Sequence, residues 1–428
     1  MQTSSIHGRI LTDKSELMAT PKAHLLPLTG MRFFLALWVV IFHQSFFPGD
    51  SWTSPLPKLL TSLLQTGYLA VGLFFVLSGF VLSYNYPLGR PWSLSQVKKF
   101  AALRFARLYP AYCIGLALSL PWVAVFLAAH LSSMTIIKKT TEAVLTWALL
   151  QAWVPGWAEA WNGPGWSLSV EAFFYCCFPI LGVALWRLSR PSSLFVAGFA
   201  IWALSLVAPL IAVNAPLLDA GGVPGRLWNS DTTGLWVNFV KFNPVMHIPE
   251  FCIGIVIGRV HSLLRAQNDF LIRKGYWLYL PGIVLELVAI WTSESTLYPF
   301  LHNGLLLPLH SIVILGFALD GGILARVLSF RHFVLLGNAS YSIYIFQSPV
   351  AGWVYFIAKR WFHTQPGGLG ITLLFVSVLT GFSLVVFRVI EEPANRLLKG
   401  KLTSSSGFVR HSYGLSVPTN AGLSGEIV

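Results

Sequence analysis

Arg32 and His43 stand eleven residues apart in a stretch that is otherwise almost wholly apolar. Eleven residues of α-helix turn the chain through about 1100°, about 20° past three full turns. The two side chains therefore share one helix face, about 16 Å apart along its axis. An imidazole there can take a proton from a hydroxyl or act as a nucleophile. A guanidinium on the same face can hold an anionic group. The plainer account makes Arg32 an anchor at the inner membrane surface and His43 a hydrogen-bonded interior residue. Glu171, in Trp166-Ser167-Leu168-Ser169-Val170-Glu171, adds a carboxylate at membrane depth. A carboxylate that orients an imidazole is the pairing that acyl-transfer chemistry uses. The same acid could instead pair with another polar group for structure.

Ser78 offers a hydroxyl between the small residues Gly72 and Gly79. It could stabilise an oxyanion, or it could simply sit where two helices approach closely. Arg104 and Arg107 are i and i+3 at a helix start and so face the same way. With Lys98 and Lys99 they form a cluster that suits a polyphosphate arm or anionic lipid headgroups. His247, Glu250, His302, Asn303 and His310 are further polar groups in apolar surroundings. Together they could line an acceptor cavity, and singly each reads as structural.

Elements of a particular kind must position these groups. The chain has 428 residues, 55% apolar and 11% charged, where soluble domains carry about 25% charged residues. Its mean hydropathy of +0.66 leaves too little polar surface for a water-soluble particle. A soluble enzyme, a disordered scaffold and a disulfide-rich module are excluded. The expectation is an all-α, polytopic transmembrane helical bundle of about ten spans. They fall near 30–47, 67–86, 105–129, 167–187, 193–213, 244–263, 276–292, 301–319, 333–357 and 368–390. A shorter stretch, 142–154, reads as re-entrant or interfacial. With both termini cytoplasmic, most of the 29 Lys and Arg fall on the inner side, as the positive-inside rule requires. The net charge of +13 is thus a sign of topology, not of nucleic-acid binding.

The expected organisation is a cytoplasmic tail over 1–28, a membrane domain over 29–400 and a disordered cytoplasmic tail over 401–428. No secretory signal peptide is expected, and no internal repeat is visible. The loop 214–243 could cap a site or merely connect two spans. The four cysteines sit in apolar runs without metal-site spacing, so neither a disulfide framework nor a metal site is expected.

The ordered set of motifs resembles the acyltransferase-3 family of integral-membrane O-acyltransferases, the O-antigen and peptidoglycan O-acetylase type. The matching residues are Leu28-Thr29-Gly30-Met31-Arg32 with His43, Phe74-Phe75 with Ser78-Gly79, Arg104-Phe105-Ala106-Arg107, and Trp166-Ser167-Leu168 with Glu171. Gly337-Asn338-Ala339-Ser340-Tyr341-Ser342-Ile343-Tyr344 and Glu391-Glu392-Pro393 complete the set. The resemblance implies transfer of an acyl group, usually acetyl, from cytoplasmic acetyl-CoA or another acyl-CoA to a hydroxyl of a glycan, glycolipid or similar acceptor. It implies a multi-pass protein of the bacterial inner membrane, in contact with membrane lipid. It also implies that His43 is the essential histidine with Arg32 as its basic partner, and that Arg104 and Arg107 contact CoA phosphates. His247, Glu250, His302 and Gln347 are the acceptor-side candidates. Gln347 is a departure, since the family often has a histidine in that segment. The soluble hydrolase-like domain that some members carry is not expected in this sequence. Two other readings stay open: a small-molecule, macrolide-type acyltransferase, and a proton-coupled transporter or lipid-linked glycan exporter. Oligomeric state is not legible.

Overall fold

The structure is a computed structural model. It describes residues 25–44, 56–86, 88–129, 132–214, 235–267, 274–292, 298–319, 321–362 and 368–403. Most of the two expected tails and of the loop 214–243 lies outside these residues.

Among the described residues the architecture is a bundle of helices with no strand. In chain order they are α1 (Leu26–Gln44), α2 (Lys58–Gln65), α3 (Leu69–Asn85), α4 (Leu94–Ala129), α5 (Ser133–Trp147) and α6 (Trp166–Trp186). Then come α7 (Pro191–Ser205), α8 (Val207–Asn214), α9 (Leu235–Phe242), α10 (Ile248–Gln267), α11 (Tyr276–Thr292) and α12 (Tyr298–His302). The last six are α13 (Leu307–Ala318), α14 (Gly322–Leu328), α15 (Arg331–Asn338), α16 (Ser340–Phe362), α17 (Leu369–Val386) and α18 (Glu392–Thr403). Among the described residues, seven helical stretches are long and apolar enough to cross a membrane. The pair α2 and α3, bent by 55°, makes an eighth if it counts as one span. Of the ten expected spans, α11 is short, at 17 residues. The 23-residue α16 is diluted by Ser340, Ser342, Gln347, Ser348, Lys359 and Arg360.

Boundaries shift where local chemistry dictates. α4 begins eleven residues before the expected span, so Lys98, Lys99 and Arg104 are helical rather than in a loop. A reciprocal cap explains the early start. The Ser93 amide donates to the Gln96 side chain at 2.8 Å, and the Gln96 amide donates to Ser93 Oγ at 3.3 Å. The stretch 142–154 is not one helix. α5 ends at Trp147, Leu149 takes a positive φ of 58°, and a 3₁₀ turn follows at Gln151–Trp153. α4 also grips that end, because Tyr109 donates to Trp147 O at 2.6 Å and Tyr112 to Thr146 O at 2.7 Å, which the Leu149 amide shares. α1 begins at Leu26, inside the expected N-terminal tail, and α18 runs through Thr403, into the expected C-terminal one.

The most extensive helix pair is α3 with α10. It meets at Gly79 and Gly254, where a Cβ on either would overlap backbone of the other helix. In a bilayer, close backbone approach of this kind substitutes for the hydrophobic driving force. Gly79 plays the packing part expected of it, whereas Gly72 faces His310 instead. α1 packs against α3, α14, α15 and α16, which bury Leu28, Leu35, Ala36, Val39 and Val40. A ring core of Phe100, Phe174, Phe178 and Phe251 fills the space between α4, α6 and α10.

Candidate functional site

α1, α3, α4, α6 and α16 surround a slot of about 90 Å³. Five of the sequence candidates line it: Arg32, Ser78, Arg104, Arg107 and Glu171. The i, i+3 spacing of Arg104 and Arg107 brings both to it, as helix geometry requires. Arg104 is 3% exposed. Its Nη2 donates to the Tyr86 hydroxyl at 2.7 Å, and its guanidinium lies over the Tyr86 and Phe100 rings at 5.2 and 5.7 Å. Glu171 accepts a hydrogen bond from the Tyr175 hydroxyl one helical turn on. Tyr175 also feels the charges of Arg104 and Arg107.

A second acid completes this cluster. α17 passes into a π-helical turn, Phe387–Glu391, which rotates the buried Glu391 inward. Glu391 accepts from Ser342 and interacts electrostatically with Arg107 and Arg32. Three guanidiniums face two carboxyl groups, so the cluster keeps a net positive charge when both acids are ionised. That balance favours an anionic ligand. The motif Glu391-Glu392-Pro393 was visible in the sequence, but nothing there tied Glu391 to Arg32, 359 positions away.

His43 lies at the other end of α1, beyond the slot. Its Nδ1 meets the Val39 carbonyl at 3.0 Å and Gln347 Oε1 at 3.0 Å. The amide of Gln347 is held in this sense, because its Nε2 donates to Tyr344 O at 2.8 Å. Both partners of Nδ1 are acceptors, so Nδ1 carries the proton and Nε2 is left with its lone pair. Nε2 has no hydrogen-bond partner among the described residues. The expected orienting carboxylate is thus replaced. Glu171 belongs to the arginine cluster, and an amide, Gln347, orients His43. For the same reason Gln347 is not grouped with the other acceptor-side candidates. Side-chain reach across packed helices decides both outcomes.

The slot and His43 are connected through α16. Ser340, Tyr341 and Tyr344 line the slot, and Gln347 follows Tyr344 by three residues. Tyr344 shares the slot wall with Ser167, whose hydroxyl donates to Pro164 O at 3.0 Å. Pro349 lacks an N–H, so the carbonyl of Ile345 loses its helical partner. The buried Asn162 fills the gap, its Nδ2 donating to Ile345 O at 3.0 Å. α16 is thereby pinned beside the turn that bears Gln347.

His247, Glu250 and His302 form a separate group. His247 Nδ1 lies 3.3 Å from Glu250 Oε1, and its Nε2 donates to Lys241 O at 3.0 Å. The pair is almost fully buried, at 2% and 1% side-chain exposure. The His302 ring stacks on Tyr68 at 5.6 Å and stands 6.1 Å from the His247 ring. Lys241 links this group to His43 through its charge. Burial pushes the Lys241 ammonium below its ordinary pKa, with Glu159 opposing the shift. No three metal-ligating side chains gather into a metal site among the described residues.

A family model described as an acyltransferase domain, of the acyltransferase-3 type, matches residues 27–387. The chain is 27% identical over 403 residues to the acyltransferase MdmB of Streptomyces mycarofaciens, covering 88% of this chain and 94% of that protein. It is 23% identical over 403 residues to the peptidoglycan O-acetyltransferase OatA of Listeria monocytogenes, covering 90% of this chain. The match takes in 57% of OatA, so this chain spans little more than half of that relative. No solved structure matches the chain.

Proposed function

Since the chain belongs to the acyltransferase-3 family, we propose that it is a membrane O-acyltransferase moving an acetyl or other acyl group from acyl-CoA to a hydroxyl of a glycan or glycolipid. The observation that carries this reading is the state of His43. Nδ1–H is committed to Val39 O and Gln347, so Nε2 presents a lone pair beyond a slot that starts at three arginines. In our proposal the bundle crosses the plasma membrane of a bacterium ten times, with both termini cytoplasmic.

Arg32, Arg104 and Arg107 hold the phosphates of CoA at the arginine end. The slim pantetheine arm enters the slot between Phe74, Phe75, Tyr341 and Tyr344, which brings the thioester towards His43. The axial separation of Arg32 and His43, about 16 Å, suits an extended arm of that kind. Transfer then balances simply. His43 Nε2 takes the proton of the acceptor hydroxyl, whose oxygen attacks the thioester carbonyl. The C–S bond breaks, and the leaving thiolate takes the proton back from the imidazolium. The same lone pair can instead attack the thioester first, forming an acyl-imidazole that the acceptor hydroxyl then discharges. Ser78 lines the slot and can donate to the carbonyl oxygen as charge develops there. For the acceptor, the similarity to the peptidoglycan O-acetyltransferase OatA favours a cell-envelope glycan.

The test is acceptor-stimulated release of CoA from acetyl-CoA by protein in nanodiscs, with envelope glycan supplied. His43→Ala is expected to lower it by about 10²–10⁴-fold, the span of general acid–base catalysis, with insertion and thermal midpoint retained. Acetylation retained in folded His43→Ala protein would sink the assignment.

A further inference from the structure

A second, much smaller cavity lies apart from the slot. It is bounded by Tyr68, Gly72, Glu250, His302, Gly304 and His310, among others, and measures about 10 Å³. Buried polar atoms without hydrogen-bond partners among the described residues converge on it. They are Glu250 Oε2, His302 Nδ1 and His310 Nδ1. Glu250 is 1% exposed and His310 4%. Buried polar groups are rarely left unsatisfied, because each then costs its full desolvation. A cavity of roughly 10–15 Å³ with two to four polar partners is what one buried water requires. Three residues that line one cavity can supply about three hydrogen bonds, the usual number for such a water.

We infer that this cavity is a binding site for one ordered water molecule that bridges Glu250 on α10, His302 on α12 and His310 on α13. The bridge joins Glu250, already paired with His247, to His310, whose Nε2 lies 3.7 Å from Glu286 Oε1 on α11. The imidazole–carboxyl pair that is hydrogen-bonded to the Lys241 carbonyl is thereby joined to His310, which stands beside Glu286. A dry apolar void would need none of these groups. An anion is disfavoured by Glu250, and a metal by the lack of a ligand cluster among the described residues.

Gly72 gives a test with opposite signs. A Cβ there would lie 3.5 Å from His310 Cε1 and 3.8 Å from Nδ1, in ordinary contact and clear of backbone. Alanine also favours a helix interior over glycine. If the cavity is dry, Gly72→Ala fills it and the thermal midpoint of the full chain in nanodiscs rises. If a water is bound, the methyl displaces it, three polar groups lose a partner, and the midpoint falls. We expect the fall. High-resolution electron cryomicroscopy of the wild-type chain provides the second readout. A single water-sized peak within hydrogen-bond distance of Glu250 Oε2, His302 Nδ1 and a His310 ring nitrogen is expected, and it disappears in Gly72→Ala. A raised midpoint, a cavity without density between well-resolved side chains, or a peak that strengthens with added cation would each overturn the inference.

Discussion

Gln347→Leu separates orientation of His43 from its chemistry. Leucine keeps the volume of the side chain and removes the acceptor 3.0 Å from His43 Nδ1. The second acceptor, Val39 O at 3.0 Å, stays in place because it belongs to the backbone of α1. The protonated Nδ1 is therefore not orphaned, and the productive tautomer is weakened rather than lost. One net hydrogen bond is worth about 0.5–1.5 kcal/mol, and about 1.4 kcal/mol is a factor of ten in rate. The expected loss in kcat is thus about two- to tenfold, with the KM for acyl-CoA unchanged. The thermal midpoint should hardly move, since the Tyr344 carbonyl released by Gln347 lies within α16. The assay is CoA release at saturating donor, with His43→Ala beside it as the floor. A wild-type kcat in folded Gln347→Leu protein would refute the orienting role. A fall to the His43→Ala floor would refute it too, because it would place Gln347 in contact with the reacting groups.

Arg104→Lys with Arg107→Lys keeps the charge but removes two forks, so the KM for acyl-CoA should rise by about tenfold or more with a smaller change in kcat; an unchanged KM would argue for lipid anchoring. Asn162→Ala leaves the Ile345 carbonyl without its donor beside Pro349, which should cost about 1–3 kcal/mol and show as a lower thermal midpoint. Gly254→Ala would drive a Cβ into the backbone of α3 at Val76 and Phe80, so the midpoint should fall and the slot wall bearing Ser78 should shift. An unaltered midpoint would mean that the two helices sit further apart than described.

Apolar run length alone is enough to make this chain a helical bundle, because a membrane leaves backbone groups no partners outside the helix. Residue spacing alone places Arg32 and His43 on one face and turns Arg104 and Arg107 the same way, since both follow from the helical repeat. The spacing of His247 and Glu250 is just as local, and the two do pair. Helical spacing says nothing about which face of one helix meets which face of another. That is why Glu171 reads as a partner for His43 but lies with the arginines, and why Glu391 carries no signal of its place beside Arg32 and Arg107. Gln347 reaches His43 from 304 positions along the chain. Only the packing of α16 against α1 decides that an amide and not a carboxylate joins the Val39 carbonyl at Nδ1 of the imidazole.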